Sequence, residues 1–205
     1  VTINPIPDAQ IDPAAQTICN GTSITSIVPT GHVNGTVFNW TRDNMGTVTG
    51  IAETGTGTIS GSLTNTTNQP VTVTFTVTPE FTNAGLTCTG TPVTATVVVN
   101  PTAQVTQPDN ETACIGDHVA VEFKTLTLGG TTTYDWVNTE TGIGLAANGN
   151  GDISFQAQNA GTAPLTGLIT VTPTFTNGGI SCQGPAEAFT ITVNPDGQVN
   201  TPANI

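Results

Sequence analysis

The sequence predicts an all-β protein made of two tandem β-sandwich domains in a rod-like array, and three observations predict it. Thr, Val, Gly, Asn and Pro dominate, while charged residues make up only 8% of the chain, a composition that suits strands and turns. No stretch joins helical periodicity to helix-forming residues. The phrase VTINP at 1–5 returns as VVVNP at 97–101 and ITVNP at 191–195, which divides the chain into repeats 1–100 and 101–195. Residues 196–205 then read as a linker or the opening of a third repeat.

Taken in order, each repeat offers the same parts. TICNG (17–21) matches TACIG (112–116), VFNW (37–40) matches TYDW (133–136), and FTNAGLTCTG (81–90) matches FTNGGISCQG (175–184). From Thr54 onward the copies align at a constant offset, with about 20 identities in about 47 positions. VTVTFTVTP (71–79) places Val71, Val73, Phe75 and Val77 on one face and threonines on the other, the period-2 pattern of a half-buried antiparallel strand. Ile169 and Val171 hold the inner positions in the second copy. The last strand of each repeat alternates in the same way through Val93, Ala95, Val97 and Val99, and through Phe189, Ile191 and Val193. Asn83, Gly85, Asn177 and Gly179 supply the turn before it. Short strands separated by Gly, Asn and Pro clusters predict an immunoglobulin-like two-sheet sandwich in each repeat. The Asn-Pro phrase closes one and opens the next, with proline stiffening the junction.

Four cysteines fall two per repeat, and the economical pairing is one disulfide inside each: Cys19 with Cys88, Cys114 with Cys182. Persistent disulfides imply an oxidising compartment, hence secretion or the cell surface. Zinc has no Cys-x-x-Cys or Cys-His spacing to support it. Trp40 and Trp136 lie between the paired cysteines, where an immunoglobulin-type sandwich keeps its core tryptophan; the alternative, a stacking platform for sugar, requires an exposed indole.

Two basic residues, Arg42 and Lys124, face 14 acidic ones, for a formal charge of -12. Such a surface repels phosphate backbones and anionic membranes, so nucleic acid is excluded as a partner. No apolar run approaches the ~20 residues of a membrane helix, so direct membrane insertion is not expected. No secretory n- and h-region opens the chain, and without an initiator Met it reads as a piece of something longer.

Asn148, Asn150 and Asp152 in NGNGDIS alternate with glycine as calcium-loop ligands do, but the aligned TGTGTIS (54–60) keeps both glycines and loses every amide and carboxylate. The shared feature is therefore backbone geometry, and Gly55, Gly57, Gly149 and Gly151 are expected to permit a positive-φ turn before Ile59 and Ile153. No cofactor and no metal are expected; calcium at Asp152, or among Asp109, Glu111 and Asp117, remains the lesser reading. Catalysis is not expected. His32 and His118 do not align, no G-x-S-x-G occurs, and no carboxylate pair is duplicated. The Asn-x-Thr sequons at Asn20, Asn34, Asn39, Asn65 and Asn110 agree with exposed loops.

CNG/CIG, NW/DW, G-x-G-x-I, VTP-x-FTN, C-x-G and VNP together resemble the PKD-like domains found in long tandem arrays in giant Bacteroidetes surface proteins, among them gliding-motility adhesins of the SprB type. The resemblance covers nearly the whole chain, twice. It implies type IX export, attachment at the outer surface of the outer membrane as part of a larger protein, and a part in adhesion or gliding. Two readings follow. One is a non-catalytic stalk or spacer whose partners are neighbouring repeats of the same chain. The other is an adhesive module whose loops hold a surface polysaccharide. The segments where the repeats differ most, 23–37 against 119–133 and the loops after the tryptophans, carry no cluster of exposed-looking aromatics, which favours the spacer.

Overall fold

The computed structural model describes residues 3–197. It is all-β apart from one 3-10 turn at Thr141–Ile143, whose leading Glu140 accepts a hydrogen bond from the Gly142 amide at 2.8 Å. The protein divides into two compact units that do not follow the repeat boundaries. Among the described residues, unit one holds the chain up to Thr102 together with Leu128–Gly130 and Thr176–Cys182; unit two holds Ala103–Thr127, Thr131–Phe175 and the described chain after Cys182. The expected division at residues 100 and 101 therefore misses two short segments of the second repeat that pack within unit one.

The strands of the first repeat are β1 (Gln10–Asp12), β2 (Ala15–Ile18), β3 (Val28–Thr30), β4 (Val37–Arg42), β5 (Val48–Gly50), β6 (Thr54–Thr56), β7 (Leu63–Asn65), β8 (Val71–Asn83), β9 (Leu86–Thr89) and β10 (Val93–Val99). A large sheet runs β2-β10-β8-β4-β6, and β9 pairs with the far half of β8. β1 pairs with β3 and β5 with β7 in two small sheets. The period-2 pattern decides what faces inward: Val73, Phe75 and Val77 of β8 and Ala95, Val97 and Val99 of β10 are fully buried. They share one core with Ile27, Val48, Ile59 and Leu63, which come from the smaller strands and the loops beside them. Burying such a side chain contributes about 1.5–3 kcal/mol.

The second repeat repeats the plan with β11 (Glu111–Cys114), β12 (His118–Val121), β13 (Thr131–Asn138), β14 (Asn148–Asn150), β15 (Ile153–Gln156), β16 (Leu165–Asn177), β17 (Ile180–Gln183) and β18 (Glu187–Asn194). The large sheet is ordered β11-β18-β16-β13-β14, with β17 on β16, and β12 pairs with β15. Ile169, Val171, Phe189, Ile191 and Val193 form the core of unit two with Val119, Phe123 and Ile153. On the polar face the threonines pair across strands, as in Thr166 Oγ1 to Thr192 Oγ1 at 2.9 Å.

The long strand β8 serves two partners in succession. Val93 of β10 stands opposite Val77, whereas Thr89 of β9 stands opposite Glu80, so one extra residue is accommodated around Gly90. The Gly90 amide donates to Pro79 O at 2.9 Å, and Gly184 donates to Pro173 O at the same distance. The 13-residue length of β8 puts the two cysteines of one repeat near its opposite ends.

Candidate functional site

β2 runs parallel to the end of β10, with Ile18 opposite Val99, which places Cys19 beside Asn100 of the Asn-Pro phrase. Asn100 is fully buried, and its polar groups are occupied. Its amide N–H donates to Ile18 O at 2.9 Å, its Nδ2 donates to Asn177 O at 3.1 Å, and its Oδ1 accepts from Asn177 Nδ2 at 2.9 Å. Asn177 opens the turn of the hairpin that carries Cys182. Gly178 there has φ +58 and faces Thr17, where any side chain would be strained. The hairpin is thus held by its turn, and unit one is closed by a disulfide between Cys19 and Cys182, with Cα atoms 5.5 Å apart.

The same asparagine clamp occurs in the first repeat. Asn4, from the earlier Asn-Pro phrase, donates through Nδ2 to Asn83 O and Leu86 O, each at 3.3 Å, and accepts from Asn83 Nδ2 at 3.0 Å. A second duplicated contact lies two residues beyond each proline. A Cβ on Gly90 would collide with Pro7 O, and one on Gly184 with Ala103 O, so each Asn-Pro phrase runs against a glycine of the hairpin strand.

The expected pairing of Cys19 with Cys88 and of Cys114 with Cys182 is not formed. Cys88 and Cys114 are free thiols, the first half-buried and the second exposed. The reason is the length of the central strands. Cys19 stands beside Asn100, at the Val71 end of β8, whereas Cys88 lies opposite Phe81; at 3.3 Å per residue the two are about 33 Å apart along the strand. The second repeat has the same layout, with Cys114 opposite Asn194 at one end and Cys182 on β17 at the other. A bond inside one repeat would have to span the whole sheet.

Trp40 and Trp136 are each 7% exposed and packed into the two cores. Trp40 stands opposite Gly55 and Trp136 opposite Gly149, and in both pairs the indole lies where a Cβ would sit. The TGTG and NGNG segments therefore use their glycines for two different ends. Gly57 and Gly151 have the positive φ expected of them, +71 and +66, whereas Gly55 and Gly149 do not and instead make room for the tryptophan. The indole of Trp136 donates to Gly151 O at 3.1 Å, while Trp40 Nε1 is buried without a partner. Asn65, expected as a sequon in an exposed loop, is instead buried, and Asn159 aligns with it in the second repeat; each donates from Nδ2 to the last strand of its repeat, at Val99 O and Val193 O.

Two of the carboxylates considered for calcium accept hydrogen bonds from backbone amides. Asp152 accepts from the Phe123 amide at 2.9 Å, and Asp117 accepts from the Cys114 amide at 2.8 Å. Asp109 and Glu111 border an open depression of about 330 Å³ with Glu122 and Lys124, the last two 3.4 Å apart. Among the described residues no three His, Cys, Asp or Glu side chains converge as metal ligands. Of the two histidines, His32 pairs on the surface with Asp8 at 2.6 Å; that hydrogen bond raises the imidazole pKa and lowers the carboxyl pKa. Arg42 is buried and donates to Ile51 O at 2.7 Å and Val48 O at 3.1 Å, which ties down the loop after Trp40; burial lowers its pKa. Among the described residues no helix is long and apolar enough to cross a membrane.

These features define an all-β repeat module with a duplicated asparagine clamp. Residues 16–103 match the family model of the PKD-like domain. No curated protein matches the chain in sequence. Among solved structures, mouse cadherin-23 EC22-24 is 14% identical, with 93% of this chain and 67% of that one covered and a TM-score of 0.44. Drosophila N-cadherin EC1-4 is 14% identical over 94% of this chain and 50% of that one, with a TM-score of 0.46. The fibronectin(III)-like modules of Clostridium thermocellum CbhA are 14% identical over 95% and 100%, with a TM-score of 0.34.

Proposed function

We propose that the chain is a load-bearing spacer: a pair of PKD-like repeats from a secreted, surface-anchored adhesin of the kind that serves adhesion or gliding. The second repeat is included through its self-similarity with the matched residues 16–103. The observation that carries the reading is the use made of the duplicated side chains. Asn4 with Asn83 and Asn100 with Asn177 fasten a hairpin to an Asn-Pro phrase, and the disulfide closes the same place in unit one. What the repeats share is fastening, and none of the aromatics that a sugar-binding module would present is fully exposed: the two Trp, the Tyr and the seven Phe are all buried or half-buried. The disulfide supports an oxidising, extracellular setting. Outer-membrane attachment and type IX export are part of this reading through the resemblance of the repeat phrases to Bacteroidetes surface adhesins.

Binding of the chain to polysaccharides, glass and bacterial surfaces, as a monomer and clustered on beads, with and without calcium, tests the proposal. The spacer reading expects no saturable binding in either form. Saturable binding by the monomer would make the loops an adhesive site and overturn it, and binding by clustered chains alone would overturn it in favour of weak adhesion summed over copies.

A further inference from the structure

Cys88 and Cys114 are the repeat counterparts of the two cysteines that are bonded to each other. Cys88 holds in the first repeat the position of Cys182, and Cys114 holds in the second the position of Cys19. The bonded pair thus joins the early cysteine of one repeat to the late cysteine of the next. The strand partners of each free thiol match those of its bonded counterpart, while its burial is lower. At Cys114, Asn194 stands across the strand pair as Asn100 stands across from Cys19, and the Ile115 amide donates to Asn194 O at 3.2 Å. Asn100, clamped by Asn177, is fully buried, whereas Asn194 is only half-buried and Cys114 is exposed. At Cys88 the hairpin is already seated on an Asn-Pro phrase, through Asn4 with Asn83 and Gly90 against Pro7. In the bonded case the early cysteine arrives on the strand parallel to the end of that phrase's own strand.

We propose that Cys114 forms a disulfide with the cysteine at the Cys88 position of a following PKD-like repeat, and that Cys88 does so with the cysteine at the Cys114 position of a preceding one. A covalent relay then runs along the array, one bond per junction. The proposal rests on reading the chain as a segment of such an array. In each bond two thiols lose their protons and one Sγ–Sγ bond forms. The two electrons pass to a disulfide oxidant, such as oxidised glutathione or a thiol oxidase, whose own S–S bond is reduced to two thiols.

The test joins two copies of the chain so that Pro195 of the first runs into Ile6 of the second, which reproduces one Asn-Pro phrase. In one version Cys88→Ser in the first copy and Cys114→Ser in the second leave only the inner pair. In the other, Cys114→Ser in the first copy and Cys88→Ser in the second leave only the outer pair. After oxidation with a glutathione buffer, alkylation and intact mass, the inner-pair protein is expected to carry no alkylatable thiol and the outer-pair protein two. Two alkylated thiols in the inner-pair protein, with Cys19–Cys182 bonded in both copies, would overturn the relay, as would an internal bond between the outer pair. Surface binding by the monomer would defeat the spacer reading and leave this result standing, so the two failures are distinct.

Discussion

Pulling the oxidised chain by its two ends should show that the disulfide sets the limit of its extension. With Cys19 bonded to Cys182, force entering near one terminus crosses the S–S bond to the other, and the 163-residue separation between them is removed from the extensible path. At about 3.3–3.6 Å per residue, some 540–590 Å of contour length is hidden. The perturbation is Cys19→Ser, made in a background with Cys88→Ser and Cys114→Ser so that no other thiol pairs. The assay is optical-tweezers extension of the oxidised proteins. The parent should lengthen only through the segments outside the bond, as β1, β2 and β18 detach, and the Cys19→Ser protein should also release the hidden length as its sheets unfold. If the parent releases about that length while still oxidised, the bond is not in the load path and the mechanical reasoning is wrong. The chain-entropy relation gives the same bond about 5 kcal/mol of stabilisation by restricting the unfolded state, so the variant should also unfold at lower urea.

Gly55→Ala and Gly149→Ala should each destabilise their unit by about 1–3 kcal/mol, since the new methyl meets the Trp40 or Trp136 indole; urea midpoints check this, and an unchanged midpoint would refute the stacking role. Trp136→Phe should cost about 1 kcal/mol more than Trp40→Phe, because the first loses a hydrogen bond to Gly151 and the second removes a buried N–H that has no partner. The His32 imidazole should titrate above its ordinary value of about 6.5 by NMR and return toward it in Asp8→Asn. With a raised histidine and a lowered aspartate, the pair is fully charged between the two folded pKa values; it is lost as pH rises through the histidine's and as pH falls through the aspartate's. Because both groups are solvent-exposed, the change in global stability should be small, and a large one would contradict the surface assignment.

Much of the fold is legible in the sequence because strand alternation is a local signal. Val73, Phe75 and Val77, and Ile169 and Val171, are buried where their period places them. The duplicated turns are legible for the same reason. The disulfide is not, because equal spacing between cysteines says nothing about which end of a strand each one occupies. The information was present in VTVTFTVTPEFTN, whose uninterrupted 13-residue strand sets Cys88 far from Cys19, but reading it requires the registers of β9 and β2 on their partners. Gly55 was misread for a related reason. Glycines alternating with threonine suggest a turn, and only the cross-strand register reveals that a tryptophan lies over Gly55. The asparagine clamps are written in the sequence as the Asn-Pro phrase and FTN, yet they are separated by 79 and 77 positions, and only the folded hairpin brings them together.

The most direct measurement uses the scarcity of basic residues. Trypsin acting on the oxidised, alkylated and denatured chain can cut after Arg42 and Lys124, giving 1–42 with Cys19, 43–124 with Cys88 and Cys114, and 125–205 with Cys182. The account predicts a non-reduced digest in which 1–42 and 125–205 travel as one linked species and 43–124 stands apart with both cysteines alkylated. All three peptides linked together, with no alkylated cysteine, would contradict it and restore one bond within each repeat.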